Sequence, residues 1–348
     1  MSKQHDAQVA VIGAGPIGLE LAIALKRAGI SYLHFDARQV GYTISWFPPQ
    51  TRFFSSNERI AIAGVPLQTA DQNKATREEY LAYLRRVVVQ FDLDVRTYEP
   101  VVGIVRRDGG FDLTTRPAGG DRTCRVGRVV LATGGTDHPR LLHVPGEDLP
   151  HVSHYFDDPH RYFRRRVLVV GGKNSAVEAA LRCHHAGAHV SISYRRARLP
   201  DKSIKYWLLP EINGLISAGR ITAHFDTLVE RITPTQVALA PSPWAGDRPA
   251  VTVDADFVLL LTGYVQDTRL FELAGLDLDG DCRAPRHDPG TMETTVPGVY
   301  VAGTAVGGTQ EKYTVFIENC HVHVDRIVAA LTGAQAPEPP TPLAMPES

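Results

Sequence analysis

This 348-residue sequence predicts an α/β fold of two Rossmann-like, three-layer domains, the second inserted into the first. Three observations lead to it. A β-branched run, a glycine turn, an amphipathic stretch and a second apolar run occupy residues 8–36, and the same order returns at 166–194. Each copy is followed by short strand-like segments with Gly-rich turns. Each then closes on an apolar run ending in Thr-Gly, Val129–Gly134 in the first and Phe257–Gly263 in the second. The repeat is more informative than either copy alone. It sets the domains at 1–139 with 266–333 and at 140–265, and leaves a Pro-rich tail over 334–348 that is expected to be disordered.

The elements follow in order. Gln8–Ile12 reads as a strand covered on both faces, because its apolar run is continuous. Gly13–Gly18 is a tight turn, Leu19–Arg27 has helical spacing, and Gly29 ends that helix. Ser31–Asp36 is the next strand. Residues 41–66 are aromatic and turn-rich. Thr76 with Glu79 three residues on forms a capping box and opens a helix to about Gln90. In the second copy, Arg166–Val170, Val177–Ala186 and His189–Tyr194 repeat strand, helix and strand. Gly298–Gly303 is a further buried strand, and Gln310–Leu331 reads as one long helix.

Composition narrows the function. Hydrophobic residues make up 43% and charged residues 22%, the balance of an ordinary globular enzyme. A formal net charge of −1 offers no basic field for nucleic acid. No apolar run reaches the roughly 20 residues a membrane span needs, and the polar start shows no signal peptide, so a cytoplasmic protein is expected. Cys124, Cys183, Cys282 and Cys320 are far apart, which argues against a zinc site or a disulfide scaffold.

Gly13-Ala-Gly15-Pro16-Ile17-Gly18 fits G-x-G-x-x-G between strand and helix. In that pattern the first glycine permits the turn, the second admits a pyrophosphate, and the third lets the helix approach the strand. The helix N-terminus supplies N–H donors to the phosphates. Asp36, beside Ala37, closes the next strand where a carboxylate accepts from an adenosine ribose. A carboxylate there disfavours a 2′-phosphate, so FAD or NAD suits this site.

The second copy, Gly171-Gly172-Lys173-Asn174-Ser175-Ala176, is degenerate, with Lys173 in place of the middle glycine. Arg195 and Arg196 hold the place that Asp36 holds in the first copy, where guanidinium groups can grip a 2′-phosphate. NADP(H) is therefore preferred there. FAD in the first site and NADPH in the second would pass hydride from nicotinamide to flavin, with Val102, Ala132, Thr133 and Gly134 completing one site and Thr262 and Gly263 the other.

At this point the residues resemble the two-domain flavoprotein reductases of the thioredoxin-reductase type, with GR2-type FAD/NAD(P) domains. Within them the chain resembles the YpdA family of bacillithiol disulfide reductases over roughly residues 8–332. The resemblance is carried by Arg52-Phe-Phe-Ser-Ser56, Pro145-Gly-Glu-Asp-Leu-Pro150, His154-Tyr-Phe156 and Gly171-Gly-Lys-Asn-Ser-Ala176. It continues in Ser203-Ile-Lys-Tyr-Trp-Leu-Leu-Pro-Glu211, Leu261-Thr-Gly-Tyr264 and Phe316-Ile-Glu-Asn319. It implies a flavin stacked near Ser45, Trp46 and Phe54, and Gly303 with Thr304 on its pyrophosphate or ribityl chain. Thr304 stands where many related flavoproteins carry Asp. It also implies a homo-oligomer, dimer or tetramer.

The family's proposed redox cysteine lies inside the first glycine motif, where this chain has Ile17. Cys183 and Cys320 sit in helical runs and are read as buried thiols, so any disulfide would be reduced without a protein thiol. His321 and His323 lie two apart in a helix and face different ways, a poor metal pair, and adjacent His184 and His185 are no better. Glu318 is read either as a proton donor near the flavin or as a cap or interdomain ion pair. Lys205 and Trp207 either line the nicotinamide path or make a domain contact.

Three functions follow. The first is an NADPH-dependent flavoprotein reductase acting on a small disulfide or another small-molecule or redox-protein acceptor. The second is a flavin monooxygenase, although His151-Val-Ser-His154 does not supply that group's F-x-G-x-x-x-H. The third is a non-enzymatic flavoprotein sensor.

Overall fold

The computed structural model describes residues 5–246, 248–311 and 313–335; the tail expected to be disordered lies, from residue 336 on, outside the described residues. The described residues divide into two compact units, one of those up to His138 and from Val265 on, the other of those within Pro139–Tyr264.

In the first unit β1 (Ala7–Ile12) leads through the glycine turn into α1 (Pro16–Arg27) and β2 (Tyr32–Phe35). Pro16 opens the helix, where its missing N–H is no loss. Lys26 and Arg27 close it against the negative end of the helix dipole. The capping box expected at Thr76 is present at the start of α2 (Arg77–Gln90): Thr76 Oγ1 accepts from Glu79 N, and Glu79 accepts from Thr76 N. After β3 (Val95–Arg96) come β4 (Val101–Arg107), β5 (Gly110–Thr115) and β6 (Arg122–Leu131). The sheet runs β3-β2-β1-β6-β5-β4.

The register of that sheet places the site. Ile12 pairs in parallel with Phe35 on one side and Leu131 on the other, so Gly13, Asp36 and Ala132 all emerge at the carboxyl edge. Alternate residues of β1 face opposite layers. Ala10 and Ile12 join one apolar cluster, Val9 and Val11 another. That is why the strand reads as unbroken apolar sequence.

The second unit repeats the plan. β7 (Val152–Ser153) is a short edge strand, followed by β8 (Arg166–Val170), α3 (Asn174–His185) and β9 (His189–Tyr194). Helix α4 (Leu209–Ser217) precedes β10 (Thr222–Phe225), the antiparallel trio β11 (Thr227–Ile232), β12 (Gln236–Pro241) and β13 (Val251–Asp254), and β14 (Phe257–Leu260). The parallel sheet runs β10-β9-β8-β14-β7. Val167 and Val169 pack under α3, while Leu168 and Val170 pack under the antiparallel trio, giving three layers. Each unit is thus a Rossmann-like layer structure, as the repeat implies.

Back in the first unit, β15 (Val299–Val301) is the buried strand expected within 298–303, and it pairs in parallel with β6. The long helix expected over 310–331 is a correction: α5 is only His321–Thr332, preceded by a 3-10 turn at Ile317–Asn319. Side chains supply the reason. Gln310 Oε1 accepts from Thr314 N and Val315 N, and Asn319 Oδ1 accepts from Phe316 N, so these amides are taken before a helix can use them.

Candidate functional site

The first glycine turn separates glycines that packing requires from one that it does not. Gly13 has φ +112°, and a Cβ there would lie 2.3 Å from Ala132 O. A Cβ on Gly18 would lie 1.9 Å from Gly13 O, so the helix could not sit this close to the strand. Gly15 is different. It caps α1 at φ −76°, ψ −178°, a conformation any residue adopts, and a Cβ there would meet nothing within 4 Å. Neither backbone nor protein packing requires glycine at that position. Open space there, beside a helix N-terminus with no side-chain cap, would accept a pyrophosphate. The residues present therefore fit FAD.

Two histidines hold the backbone here, His34 at Gly13, which sequence reasoning missed, and His323 at Gly303, which it weighed only as half of a poor metal pair. His34 Nε2 lies 2.9 Å from Gly13 O, and because a carbonyl only accepts, Nε2 carries the hydrogen. His323 Nδ1 accepts from Gly303 N at 3.2 Å, which fixes the other tautomer-bearing nitrogen, Nε2, as protonated. Burial pushes both imidazoles down to about 4. The only sequence signal for His34 was an isolated histidine in an apolar run.

Asp36 stands at the edge as expected. Its Oδ2 accepts from Ala14 N at 2.6 Å and its Oδ1 from Arg38 N at 2.7 Å, leaving a lone pair on each oxygen for ribose hydroxyls. Burial pushes the carboxyl up despite these donors. Ala37 is exposed beside it and Val102 half-buried.

The far side of the site is built from the Thr-Gly end of β6 and the turn Gly303–Gly307. Gln266, another residue sequence reasoning missed, joins them: its Nε2 donates to Gly134 O at 2.8 Å and Ala305 O at 2.9 Å. Thr133 Oγ1 is buried with no partner, an orphan a bound group would satisfy. Gly303, at φ +71°, lies against Ile17, whose side chain is 5% exposed and belongs to the apolar cluster of Val11, Tyr300 and Val324. Thr304 follows, half-buried.

The aromatic segment is tied to the first turn of α2. Arg77 donates to Ser45 O and Phe47 O, and Glu78 accepts from Gln50 N. Trp46 packs edge-on against Tyr42 at 5.4 Å, and Lys74 stands over the Phe54 ring at 5.2 Å.

Glu318 pairs with Arg59 at 3.7 Å inside the first unit, so the interdomain alternative is set aside, and its Oε2 is buried with no partner. His321 joins the same group: Nδ1 lies 2.6 Å from Glu20 Oε2 and Nε2 2.9 Å from Arg59 O. Burial pushes His321 down, but Glu20 and the Arg59 carbonyl outweigh it and hold the imidazole above its ordinary value.

In the second unit Val170 pairs with Ser193 and Leu260, which brings Gly171, Arg195 and Thr262 to one edge. A Cβ on Gly171 would lie 2.4 Å from Leu261 O, and one on Gly172 2.4 Å from the Tyr194 ring. Lys173 is the N-cap of α3 in extended backbone, without a side-chain cap bond. Asn174 and Ser175 begin the helix, and Asn174 Oδ1 accepts from Lys205 N at 2.6 Å. Lys205 Nζ lies 3.0 Å from Glu178 and 5.7 Å from the Trp207 ring, so it braces α3 within its own unit. Thr262 Oγ1 donates to Arg140 O, and Arg140 N donates to Gly263 O. Arg195 and Arg196 are exposed, and neither forms an ion pair among the described residues. Two uncommitted guanidiniums beside an uncapped helix N-terminus are a donor set that fits a phosphorylated dinucleotide.

Three of the four thiols are not poised for chemistry. Burial pushes Cys183 and Cys320 up to about 12 and Cys124 up to about 11. Cys320 corrects one expectation: it is the N-cap of α5 rather than part of its run, yet burial prevails over the helix end. Among the described residues no group of three His, Cys, Asp or Glu could hold a metal, and no helix is long and apolar enough to cross a membrane.

Residues 10–303 match the family described as pyridine nucleotide-disulphide oxidoreductase. The chain is 37% identical over 322 residues to the bacilliredoxin reductase Bdr of Bacillus subtilis, covering 92% of this chain and 96% of that one. The structure of the bacillithiol disulfide reductase Bdr (YpdA) from Bacillus cereus superposes with TM-score 0.88 at 34% identity, covering 94% and 99%. A ferredoxin–NADP reductase of Lacticaseibacillus paracasei is 28% identical over 315 residues, covering 88% and 87%.

Proposed function

Because the chain belongs to the pyridine nucleotide-disulphide oxidoreductase family and is an NADPH-dependent flavoprotein oxidoreductase, we propose that its acceptor is a low-molecular-weight disulfide of the bacillithiol type. In this reading the enzyme is cytoplasmic, forms a homo-oligomer, and delivers electrons without a thiol of its own. FAD, when bound, supplies the redox chemistry, taking hydride from NADPH and returning electrons to the acceptor.

The chain's own residues do the rest. Gly13, Gly15, Ile17 and Gly18 line the FAD pyrophosphate at the start of α1, Pro16 sets the helix's first turn without an N–H of its own, and Asp36 takes the ribose. His34, His323 and Gln266 keep the walls of that site in place. Ser45, Trp46 and Phe54 flank the ring, and Gly303 and Thr304 close the pocket. In the other unit Gly171 to Ser175 present the α3 amides to the NADPH phosphates, with Thr262 and Gly263 beside them. Arg195 and Arg196 select the 2′-phosphate. Glu318 is assigned to its ion pair with Arg59.

One observation carries the preference for a small acceptor: three of the four thiols are held at about 11 to 12, and position 17 is a packed isoleucine. A disulfide must then reach the reduced cofactor itself, which a small molecule can do. The test is anaerobic reduction with NADPH followed by a panel of bacillithiol disulfide, other disulfides, quinones, ferredoxin and oxygen. Fastest reoxidation by bacillithiol disulfide supports the reading; reoxidation only by ferredoxin or oxygen refutes it.

A further inference from the structure

We propose that Trp244 is a specificity-determining residue for the phosphorylated dinucleotide, a platform that presents the Arg196 guanidinium to the 2′-phosphate. The proposal rests on the assignment of the second unit to NADPH. Its ground is one close stack. The Arg196 guanidinium carbon lies 3.6 Å from the centroid of the Trp244 ring, where other such pairs, Arg27 over Phe91 and Lys205 over Trp207, stand at 5.2 and 5.7 Å.

That geometry does something an ion pair would not. A guanidinium lying on an indole face is held through its π surface, and its five N–H groups remain in the plane with their edges free. A carboxylate partner would occupy those same donors. Arg196 therefore combines a fixed position with an uncommitted hydrogen-bonding edge, which is what bidentate recognition of a phosphate requires.

The backbone shows how the sequence brings the two side chains together. Asp226 N donates to Arg196 O at 3.1 Å, and Ser242 N donates to Asp226 O at 2.7 Å. Asp226 thus ties the end of β9 to the β12–β13 connection, at φ +57° in the left-handed region that aspartate tolerates. Ala245 N donates to Ser242 O, closing a turn over Pro243 and Trp244 that lifts the indole toward Arg196. The Asp226 carboxylate, 7% exposed, is answered by Arg248 at 3.2 Å, so this acid does not compete for Arg196.

Exposure of the indole points the same way. Trp244 is 55% exposed and belongs to none of the five apolar clusters, so core packing does not explain a tryptophan there. Ser242 Oγ, two residues earlier, is buried without a partner.

The test uses the purified flavoprotein and calorimetric titration with adenosine 2′,5′-bisphosphate and with 5′-AMP, which differ by the phosphate in question. Trp244→Ala should weaken the bisphosphate about 5- to 20-fold and 5′-AMP less than twofold, and Trp244→Phe should restore most of the loss. Equal weakening of both ligands would make Trp244 an adenine contact and overturn the proposal. If Trp244→Ala binds like the parent while Arg196→Ala loses the bisphosphate, the platform fails and the NADPH assignment stands. If Arg196→Ala and Arg195→Ala also bind like the parent, that assignment fails as well.

Discussion

His34 Nε2 stands 2.9 Å from the carbonyl oxygen of Gly13, and the histidine has no exposed surface. The glycine turn is thus fixed from beneath by a neutral imidazole whose Nδ1 has no partner. In the unfolded chain such a group takes its proton near 6.5, in the folded chain near 4. Between those values the unfolded state binds more protons, so stability falls as the pH drops, by about 2 kcal/mol between pH 7 and pH 5. Asp137, pushed up to about 6 by burial, works in the opposite sense and is common to parent and variant. Denaturant melts of His34→Gln, whose amide can still donate to Gly13, should show a pH 7 to pH 5 loss smaller by about that amount. Equal losses would show that His34 is not the neutral donor assigned here.

The two glycines that flank Pro16 and Ile17 should fail in different ways. Gly18→Ala places a Cβ on the Gly13 carbonyl and should cost stability, on the order of 2–3 kcal/mol, with or without cofactor. Gly15→Ala meets no protein atom, so the apoprotein should lose only glycine's N-cap advantage over alanine, about 1 kcal/mol. Its FAD should be lost on desalting, because the added methyl stands in the pyrophosphate path. A Gly15→Ala protein that retains full FAD would remove the ligand explanation for that glycine.

Much of this architecture was written in local sequence. The strand–turn–helix–strand repeat, the Thr76–Glu79 box and the acid-versus-arginine contrast at Asp36 and Arg195 each depend on neighbours within one element or the next. What stayed hidden depends on distant partners. His34 and His323 matter through bonds to Gly13 and Gly303, and Gln266 bridges segments 132 residues away in sequence, at Gly134. Periodicity also overreached at Gln310–Leu331, where apolar spacing continues but Gln310 and Asn319 take the backbone amides that a helix would need. Spacing alone records no such competition.

The cysteines give a direct chemical check. With Cys183 and Cys320 fully buried and held at about 12, alkylation of the native protein at neutral pH should spare both. Alkylated enzyme should keep its acceptor turnover within about twofold. Mass spectrometry locates the label and turnover measures the consequence. Inactivation that tracks labelling of one cysteine would restore a protein thiol to the route.

Arg195→Ala combined with Arg196→Ala should raise the NADPH Michaelis constant by about 30- to 1000-fold, the loss of roughly 2–4 kcal/mol of charge-assisted bonds. The NADH constant should move less than threefold, since NADH has no 2′-phosphate to lose. Steady-state flavin reduction with each nucleotide decides it; equal losses would mean that the arginines touch something common to both.

The central claim is that one unit holds an unphosphorylated dinucleotide as FAD while the other selects a phosphorylated nicotinamide to reduce it. Anaerobic stopped-flow mixing of the yellow holoprotein with NADPH or NADH tests this most directly. Bleaching of the flavin band at least tenfold faster with NADPH at equal subsaturating concentration is the expected result. A band that neither nucleotide bleaches, or that both bleach at the same rate, would contradict it.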